Sequence, residues 1–359
     1  MWMLLSSLAL GGYGDAIDGR PSHVEREVHF WTNMVRIEPA FFTNDYPCSF
    51  NSFSGTEQTP KVPLLWNHGL GEAARVHSAD MDDRNYFSHD TLGGPDFGSR
   101  VRDYYGGSWI GENIAQGYQS AYSAVIDGWM CSGGHRANIM SNNFDEMGTG
   151  VSSDYYTQDF GGGNPPQRAL AMGIHLPKNP SGEADFGVDW TLTEAPDAVF
   201  VVLNGERHDL DAFIGDPSGW SGWSARLPIA SGCNEYYFVG EAGGLAQTFP
   251  EDGSYTFGGC ADDDSEAGWA DGQLDWEDDG GTVPDDEPTD DDGTTDDDDD
   301  DAAAGDDDDD DSDDSDDGDD GTATEDAYAF ESAGGCSTAG TTGSALGGLL
   351  LTLLATRRR

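Results

Sequence analysis

The stretch Trp109–Gly150, WIGENIAQGYQSAYSAVIDGWMCSGGHRANIMSNNFDEMGTG, decides the fold. It opens with Gly-Glu-Asn, which predicts a turn, and continues with apolar residues at helical steps from Ala121 to Trp129. A Gly-Gly-His-Arg sequence then predicts a second turn. Upstream, the segment YFSHD at Tyr86–Asp90 follows another helical pattern and carries a further histidine. We therefore expect loop-borne polar side chains from these segments to converge on one site.

The flanking segments predict an α+β domain. Ser22 with Glu25 three positions later is a capping-box pattern, and Pro39 marks the end of this first helix. His77 falls in the buried stripe of the next helix and is expected to pack rather than to bind a ligand. The predicted helices are 22–38, 69–84, 99–104, a helix ending at Met130, and 137–140. The predicted strands are 147–153 and a return strand at either 155–159 or 168–176.

Four motifs carry a resemblance to a known family. In chain order they read YFSHD, GENIA, GWMCSGGHRANIM and DEMGTGV. They resemble the CAP superfamily (cysteine-rich secretory proteins, antigen 5 and pathogenesis-related-1 proteins) in its bacterial SCP-like branch, from about Ser22 to Phe160. The resemblance implies a three-layer α-β-α sandwich, which we assign to residues 22–176.

The resemblance also implies a cleft lined by two histidines and two acids. His89, Glu112 and His135 match three of these positions, and Asn113 and Ser132 fall beside them. Neutral imidazoles with a carboxylate suit Zn²⁺ or another divalent ion, with Glu112 as a ligand or as the group that orients a histidine. The fourth member, an acid, should fall near Ser132 but is absent there. Asp127 and Glu146 are the candidate substitutes.

These residues leave three functions open. The resemblance implies binding of an extracellular lipid, sterol or peptide in the cleft, with or without a metal. A metal-assisted hydrolase acting on peptide or envelope material is the alternative, and the missing acid makes it the weaker one. In the third interpretation the triad is a hydrogen-bonded network within a non-catalytic surface module.

Charge is spread unevenly along the chain. The formal net charge is −53, and the first 260 residues carry 33 acidic and 13 basic residues. Residues 261–330 carry 35 acidic residues and no lysine or arginine. Like charges at this density cannot bury a core, so we expect a disordered linker. The strongly negative electrostatic field of such a chain excludes nucleic acid as a partner and favours cations and basic proteins.

Residues 184–260 have a different pattern from the segment before them. Short strand-like runs at 186–192, 199–203, 236–239 and 254–257 alternate with Gly, Pro, Asn and Asp and predict a small all-β module, a sandwich. Cys233 and Cys260 flank its last strands and are expected to pair. Cys48 and Cys131 are then the second expected pair, with four free thiols as the alternative.

Both ends of the chain predict export. Residues 1–21 resemble a signal peptide that lacks its basic start, with cleavage near Gly11 or Gly14. At the other end, residues 331–359 contain Cys336, a short apolar run and three arginines, a pattern typical of a membrane segment held on the cytoplasmic side. It resembles a myxobacterial-type sorting signal, which implies processing and lipid attachment at Cys336. We expect a secreted or cell-surface protein that contacts the membrane through this segment.

Overall fold

A computed structural model describes residues 12–15 and 20–260, which belong to one compact unit. The expected linker at 261–330 and the expected anchor at 331–359, including Cys336, lie outside the described residues. Within the described ranges, no helix combines the length and the apolar character needed to cross a bilayer. The helices are α1 (His23–Ile37), α2 (His68–Arg84), α3 (Phe97–Arg102), α4 (Ala121–Ser123) and α5 (Gly133–Ile139).

The strands form three sheets. The first has the order β1-β3-β4-β2, the second β5-β6-β10-β9, and the third β12-β11-β7-β8 with β13 paired to β11. In chain order the strands of the first sheet are β1 (Leu65–Trp66), β2 (Trp109–Gln116), β3 (Glu146–Ser152) and β4 (Tyr155–Gly162). Those of the other two are β5 (Leu170–Ser181), β6 (Glu183–Trp190), β7 (Ala198–Leu203), β8 (Glu206–Asp209), β9 (Asp211–Gly215), β10 (Ser221–Pro228), β11 (Asn234–Ala242), β12 (Leu245–Phe249) and β13 (Tyr255–Phe257).

Helix α1 is the centre of the fold. It begins after Ser22, whose backbone N–H donates to the Glu25 carboxylate at 2.7 Å, and it ends before Pro39, as predicted. Thirteen of its residues are buried, because it contacts β3 of the first sheet and β5 of the second. The amphipathic pattern predicted only one buried face. The second face carries polar side chains, several of which bond to backbone groups: the Arg36 guanidinium, for example, donates to the carbonyl of Val62 at 2.8 Å.

Helix α2 covers the other face of the first sheet at very short range. Two glycines of β3 make this possible. A Cβ at Gly148 would lie 1.9 Å from the backbone nitrogen of Gly71, and one at Gly150 would lie 2.2 Å from that of Arg75. Any side chain at these two positions would therefore push α2 off the sheet. The resulting layers, α2, sheet and α1, are consistent with the expected α-β-α sandwich.

One sequence prediction in this sandwich is wrong, and one predicted helix is present but differs in its geometry. Gly-Glu-Asn is not a turn but the middle of β2, where Glu112 lies opposite Asp159 of β4. Gly111 is small for a packing reason, because its Cβ would meet the Phe144 ring at 2.7 Å. The predicted helix to Met130 is also irregular, since α4 passes into a π-helical turn at Ala124–Gly128 and a 3₁₀ turn at Trp129–Cys131.

The structure also corrects the boundary expected at residue 176. The return strand of the first sheet is β4, whereas β5 pairs antiparallel with β6 in the second sheet. The boundary therefore falls between Gly162 and Leu170. A bulge in β5 explains how this strand is held: the buried carboxylate of Asp189 accepts hydrogen bonds from the backbone N–H groups of Ala171 and Met172 at 2.9 and 2.7 Å.

The second and third sheets contain strands that the sequence analysis missed. These are β8, β9, β10 and β12, which are short or carry several exposed polar residues. Both expected disulfides are present, Cys48–Cys131 and Cys233–Cys260. The second and third sheets share one hydrophobic core with the first. This core includes Met34 of α1, Phe160 of β4 and Phe186 of β6.

A buried histidine pair lies where α1 meets β5. His23 and His175 have ring centroids 4.7 Å apart, and His175 stacks on Phe257 at 4.1 Å. Both nitrogens of His175 are used, Nδ1 with the Tyr236 hydroxyl at 2.9 Å and Nε2 with the carbonyl of Lys178 at 3.2 Å. Burial lowers the pKa of His175 to about 3. This pair packs as neutral rings inside the core.

Residues 12–15, which fall within the segment expected to be the leader, pack on the folded body. The Tyr13 hydroxyl donates to the carbonyl of Ala171 at 2.9 Å and accepts from the backbone N–H of Trp66 at 2.7 Å. The Tyr255 hydroxyl donates to the carbonyl of Gly14 at 2.6 Å. This short segment thus connects the first sheet to the second and third.

Candidate functional site

Five polar side chains from five elements form what we call the cleft. They are His89, Arg100, Glu112, His135 and Asp159. Glu112 comes from β2 and Asp159 from the facing position of β4, Arg100 from α3, His135 from α5, and His89 from the loop after α2. The structure therefore brings together the three residues predicted from sequence and adds two that were not predicted.

Glu112 contacts two of the other cleft residues and is held in place by them. Its Oε1 accepts a hydrogen bond from His89 Nδ1 at 2.8 Å, and its Oε2 pairs with the guanidinium of Arg100. The side chain is only 1% exposed, and that of Arg100 is 5% exposed. Burial pushes the pKa of Glu112 up, but the His89 hydrogen bond and the Arg100 charge outweigh burial and bring this pKa below its ordinary value. Glu112 is therefore ionised, and both of its oxygens are occupied.

The pKa of Asp159 is shifted in the direction opposite to that of Glu112. Asp159 is fully buried, and neither carboxyl oxygen has a hydrogen-bond partner among the described residues. Burial and then the charge of Glu112 raise the pKa of Asp159 well above its ordinary value. Two facing carboxyl groups with opposite shifts hold one negative charge between them, with the proton on Asp159.

The two cleft histidines keep ring nitrogens open. His89 uses Nδ1 on Glu112, and its side chain remains 23% exposed. His135 is half-buried, and burial followed by the charge of His89 lowers the pKa of His135 to about 4. In the part of the chain that the structure describes, no hydrogen bond engages His89 Nε2 or either ring nitrogen of His135. The cleft thus offers a neutral imidazole at His135 and the open Nε2 of His89 to a ligand.

Buried amides hold the two histidine-bearing elements together. Asn113 donates through Nδ2 to the carbonyl of His135 at 3.1 Å and accepts through Oδ1 from Asn138 at 3.0 Å. Asn138 also donates to the carbonyl of Glu112 at 3.1 Å. Asn113, predicted to line the cleft, is completely buried. Ser132, the other predicted lining residue, is half-buried and precedes the first turn of α5.

The loop at 43–61 braces α5 from outside. The Cys48–Cys131 disulfide joins this loop to the turn four residues before His135. The Arg136 guanidinium lies 3.1 Å from the Glu57 carboxylate and 4.1 Å from the centre of the Phe53 ring. His135 is therefore placed by a covalent link and an ion pair that lie outside the cleft.

The substitutes expected for the missing acid lie elsewhere. Glu146 accepts hydrogen bonds from the Tyr105 hydroxyl at 2.6 Å and from Asn67 at 2.7 Å. Asp127 lies in the π-helical turn, where burial and then the charge of Asp45 raise its pKa. The acid that faces Glu112 is instead Asp159. Asp159 is the only acid of β4, and it was the available signal.

His77 packs as predicted, although it lies close to the cleft. It is fully buried, and its Nε2 bonds to the carbonyl of Ser88 at 2.8 Å. Burial lowers the pKa of His77, so the ring is neutral. This contact holds the loop that carries His89.

The cleft residues fit a metal only in part. Because Arg100 and His89 occupy Glu112, the carboxylate orients His89 and is not free to be a ligand. The open nitrogens of His89 and His135 remain, whereas zinc sites use three or four protein ligands. Consistently, the described residues contain no group of three or more His, Cys, Asp or Glu side chains arranged to hold a metal ion.

Comparison with known proteins gives one family match. The model of the cysteine-rich secretory protein (CAP) family matches residues 32–162. The uncharacterized protein YkwD of Bacillus subtilis (strain 168) is 41% identical over 104 residues, which are 27% of this chain and 39% of that protein. The uncharacterized membrane protein YlbC of the same bacterium is 37% identical over 98 residues, 27% of this chain and 28% of that protein.

Among solved structures, an extracellular SCP-domain protein from Bacillus anthracis str. Ames is 30% identical. The match covers 38% of this chain and 39% of that chain, with a TM-score of 0.30. The chain thus spans less than two fifths of the length of each of these three relatives.

Proposed function

We propose that the protein acts outside the cytoplasm and that its cleft binds an extracellular ligand through His89 and His135, because the CAP family model matches residues 32–162, which include the cleft. The ligand classes that the family resemblance implies are a lipid, a sterol or a peptide. Two disulfides support an oxidising compartment for the folded part.

One observation carries this proposal: two imidazoles are held rigidly while their outward nitrogens stay open. Glu112 and Arg100 fix His89, and Asn113 together with the Cys48–Cys131 disulfide fixes His135. Imidazole nitrogens without partners in a preorganised site favour a ligand that supplies hydrogen-bond donors, such as a hydroxyl or an amide N–H.

The test compares ligand uptake by matched variants. His89→Asn keeps a donor near the position of Nδ1 for Glu112 but removes Nε2, and His135→Ala removes the second ring. Wild type and variants are purified from the same culture medium, and the bound small molecules are extracted and identified by mass spectrometry. We expect a ligand in wild type that the double variant lacks, while both proteins show the same melting temperature within a few degrees. Equal ligand content would contradict the proposal.

A metal in the cleft would be held by His89 Nε2 and His135, with Glu112 as the group that orients His89. Two protein nitrogens make a weak site. In zinc calorimetry of the full chain beside the His89→Asn, His135→Ala variant, the acidic segment contributes equally to both titrations. We expect no additional tightly bound ion in wild type. One extra ion per chain with sub-micromolar affinity would show that the cleft is a metal site.

The hydrolase alternative has one feature in its favour. An imidazole whose Nδ1–H is held by an ionised carboxylate is the arrangement that proteins use for general bases. No described serine or cysteine is hydrogen-bonded to His89 Nε2, so a nucleophile would have to be water. Turnover of a peptide or envelope substrate that is lost in His89→Asn would establish the enzyme. If ligand and turnover are both absent, the non-catalytic surface module remains.

A further inference from the structure

A second cavity lies where the end of α1 meets the hairpin between β9 and β10. It has a volume of about 590 Å³, within the range of small-ligand sites, and shares no residue with the cleft. Ile37, Pro60 and the half-buried Trp220 provide its apolar lining, and Glu38 and Asp216 provide carboxylates. No lysine, arginine or histidine lines it.

The hairpin is seated rigidly on α1. Gly215 has a φ of +78°, and a Cβ there would lie 2.4 Å from Cγ2 of Ile37, so only glycine permits this approach. Its N–H donates to Glu38 Oε2 at 3.0 Å. Within the turn, the Asp216 N–H donates to the carbonyl of Trp220 at 3.0 Å. The cavity is thus preformed by backbone contacts.

Each carboxylate keeps one oxygen for a ligand. Asp216 Oδ1 accepts from the N–H and the hydroxyl of Ser218 at 2.9 and 2.7 Å, and Glu38 Oε2 accepts from Gly215. Among the described residues, no hydrogen bond engages Asp216 Oδ2 or Glu38 Oε1. The hydrogen bonds from Ser218 lower the pKa of Asp216, so it stays ionised at neutral pH.

We propose that this cavity binds an alkylammonium group, such as the side chain of an exposed lysine in a peptide. Glu38 and Asp216 would pair with the ammonium, and the indole of Trp220, the aromatic ring that attracts cations best, would contact it and its alkyl chain. The strongly acidic character of the first 260 residues adds long-range attraction for such a ligand. The two carboxylates repel phosphate and carboxylate ligands, and no basic lining residue offsets that repulsion.

The test must be local, because the acidic segment at 261–330 attracts any cation. We would label the full chain with 5-fluorotryptophan and assign the fluorine resonance that disappears in Trp220→Phe. The probe is Nα-acetyl-lysine amide, and its control is the uncharged Nα,Nε-diacetyl analogue. We expect the charged probe, but not its uncharged analogue, to shift the Trp220 resonance to a saturating value. The resonance of the exposed Trp109 should show no saturating shift with either probe.

A conservative variant tests the carboxylate. Asp216→Asn keeps the acceptor for Ser218 but removes the charge, and we expect about tenfold weaker binding of the probe, as for loss of a charged hydrogen bond. Cellobiose serves as a second, neutral control ligand. Three results would overturn the proposal: equal shifts of the Trp220 resonance with the lysine probe and its diacetyl analogue, a shift with cellobiose but not with the lysine probe, or no shift with any of them. The first two would identify a site for neutral ligands.

Discussion

Two pairs of histidines in this protein use their ring nitrogens differently. In the core, both nitrogens of His175 are bonded to protein atoms and the ring stacks on Phe257, while His23 bonds through Nε2 to the carbonyl of His175 and its Nδ1 is buried away from solvent. In the cleft, His89 has one nitrogen bonded to protein, and His135 has none among the described residues. A histidine whose hydrogen-bonding capacity is satisfied internally is a packing residue, whereas one with open nitrogens in a rigid site is available to a ligand.

The first prediction concerns the two facing carboxyl groups of the cleft. Glu112→Gln leaves the buried guanidinium of Arg100 without its counter-charge, and we expect a loss of about 3–5 kcal/mol in the free energy of unfolding. Asp159→Asn replaces a group that is already uncharged at pH 7, so its cost should stay below about 1 kcal/mol. Urea unfolding of both variants measures these values. Similar costs for both would show that Asp159 is also ionised.

The second prediction compares the two histidine pairs directly. His175→Ala removes the partner of the Tyr236 hydroxyl and leaves a cavity beside Phe257, which should cost about 3 kcal/mol. His135→Ala removes a half-buried ring without a hydrogen bond and should cost less than about 1 kcal/mol. Calorimetric melting of the two variants beside wild type separates them. A large loss from His135→Ala would make the cleft pair structural as well.

The third prediction concerns pH. The unfolded state binds a proton on His175 below about pH 6.5, while burial keeps the pKa in the folded protein at about 3. Stability contributed by this group is complete above pH 6.5 and is lost as the pH falls toward 3. Between pH 6.5 and 4.5, His175→Gln should therefore flatten the dependence of the unfolding free energy on pH by up to about 1.4 kcal/mol per pH unit.

His135→Gln is the matched control for that measurement. Because the pKa of His135 in the folded protein is about 4 and that of His175 about 3, the contribution of His135 to the slope should end about one pH unit higher, and the two variants should separate below about pH 4.5. Stability curves that run parallel in wild type and His175→Gln would show that His175 is not held neutral.

Local sequence signals predicted much of this structure. The Ser22–Glu25 pattern gave the start of α1, and the four motifs located His89, Glu112 and His135. Gly-Glu-Asn was misread because glycine favours turns, whereas here Gly111 makes room for Phe144 and its strand continues. Glycine as a spacer cannot be distinguished from glycine as a turn residue without knowing what packs against it.

Long-range partners explain the remaining misses. Arg100 belongs to a short helix whose pattern contains no sign of Glu112, and Asp159 becomes informative only when β4 is placed beside β2. In the same way, the sequence of β5 by itself is compatible with pairing in the first sheet or in the second. Its place depends on Asp189, eighteen positions from Ala171, which accepts hydrogen bonds from the bulge.

The contacts of Tyr13 constrain how the chain can be matured. Its hydroxyl connects Trp66 in the first sheet to Ala171 in the second, and the carbonyl of Gly14 receives the Tyr255 hydroxyl. If a leader is removed, a cut at Gly11 leaves these bonds intact, whereas a cut after Gly14 would delete them. The position of such a cut would then decide whether the first sheet stays connected to the other two through Tyr13 and Gly14.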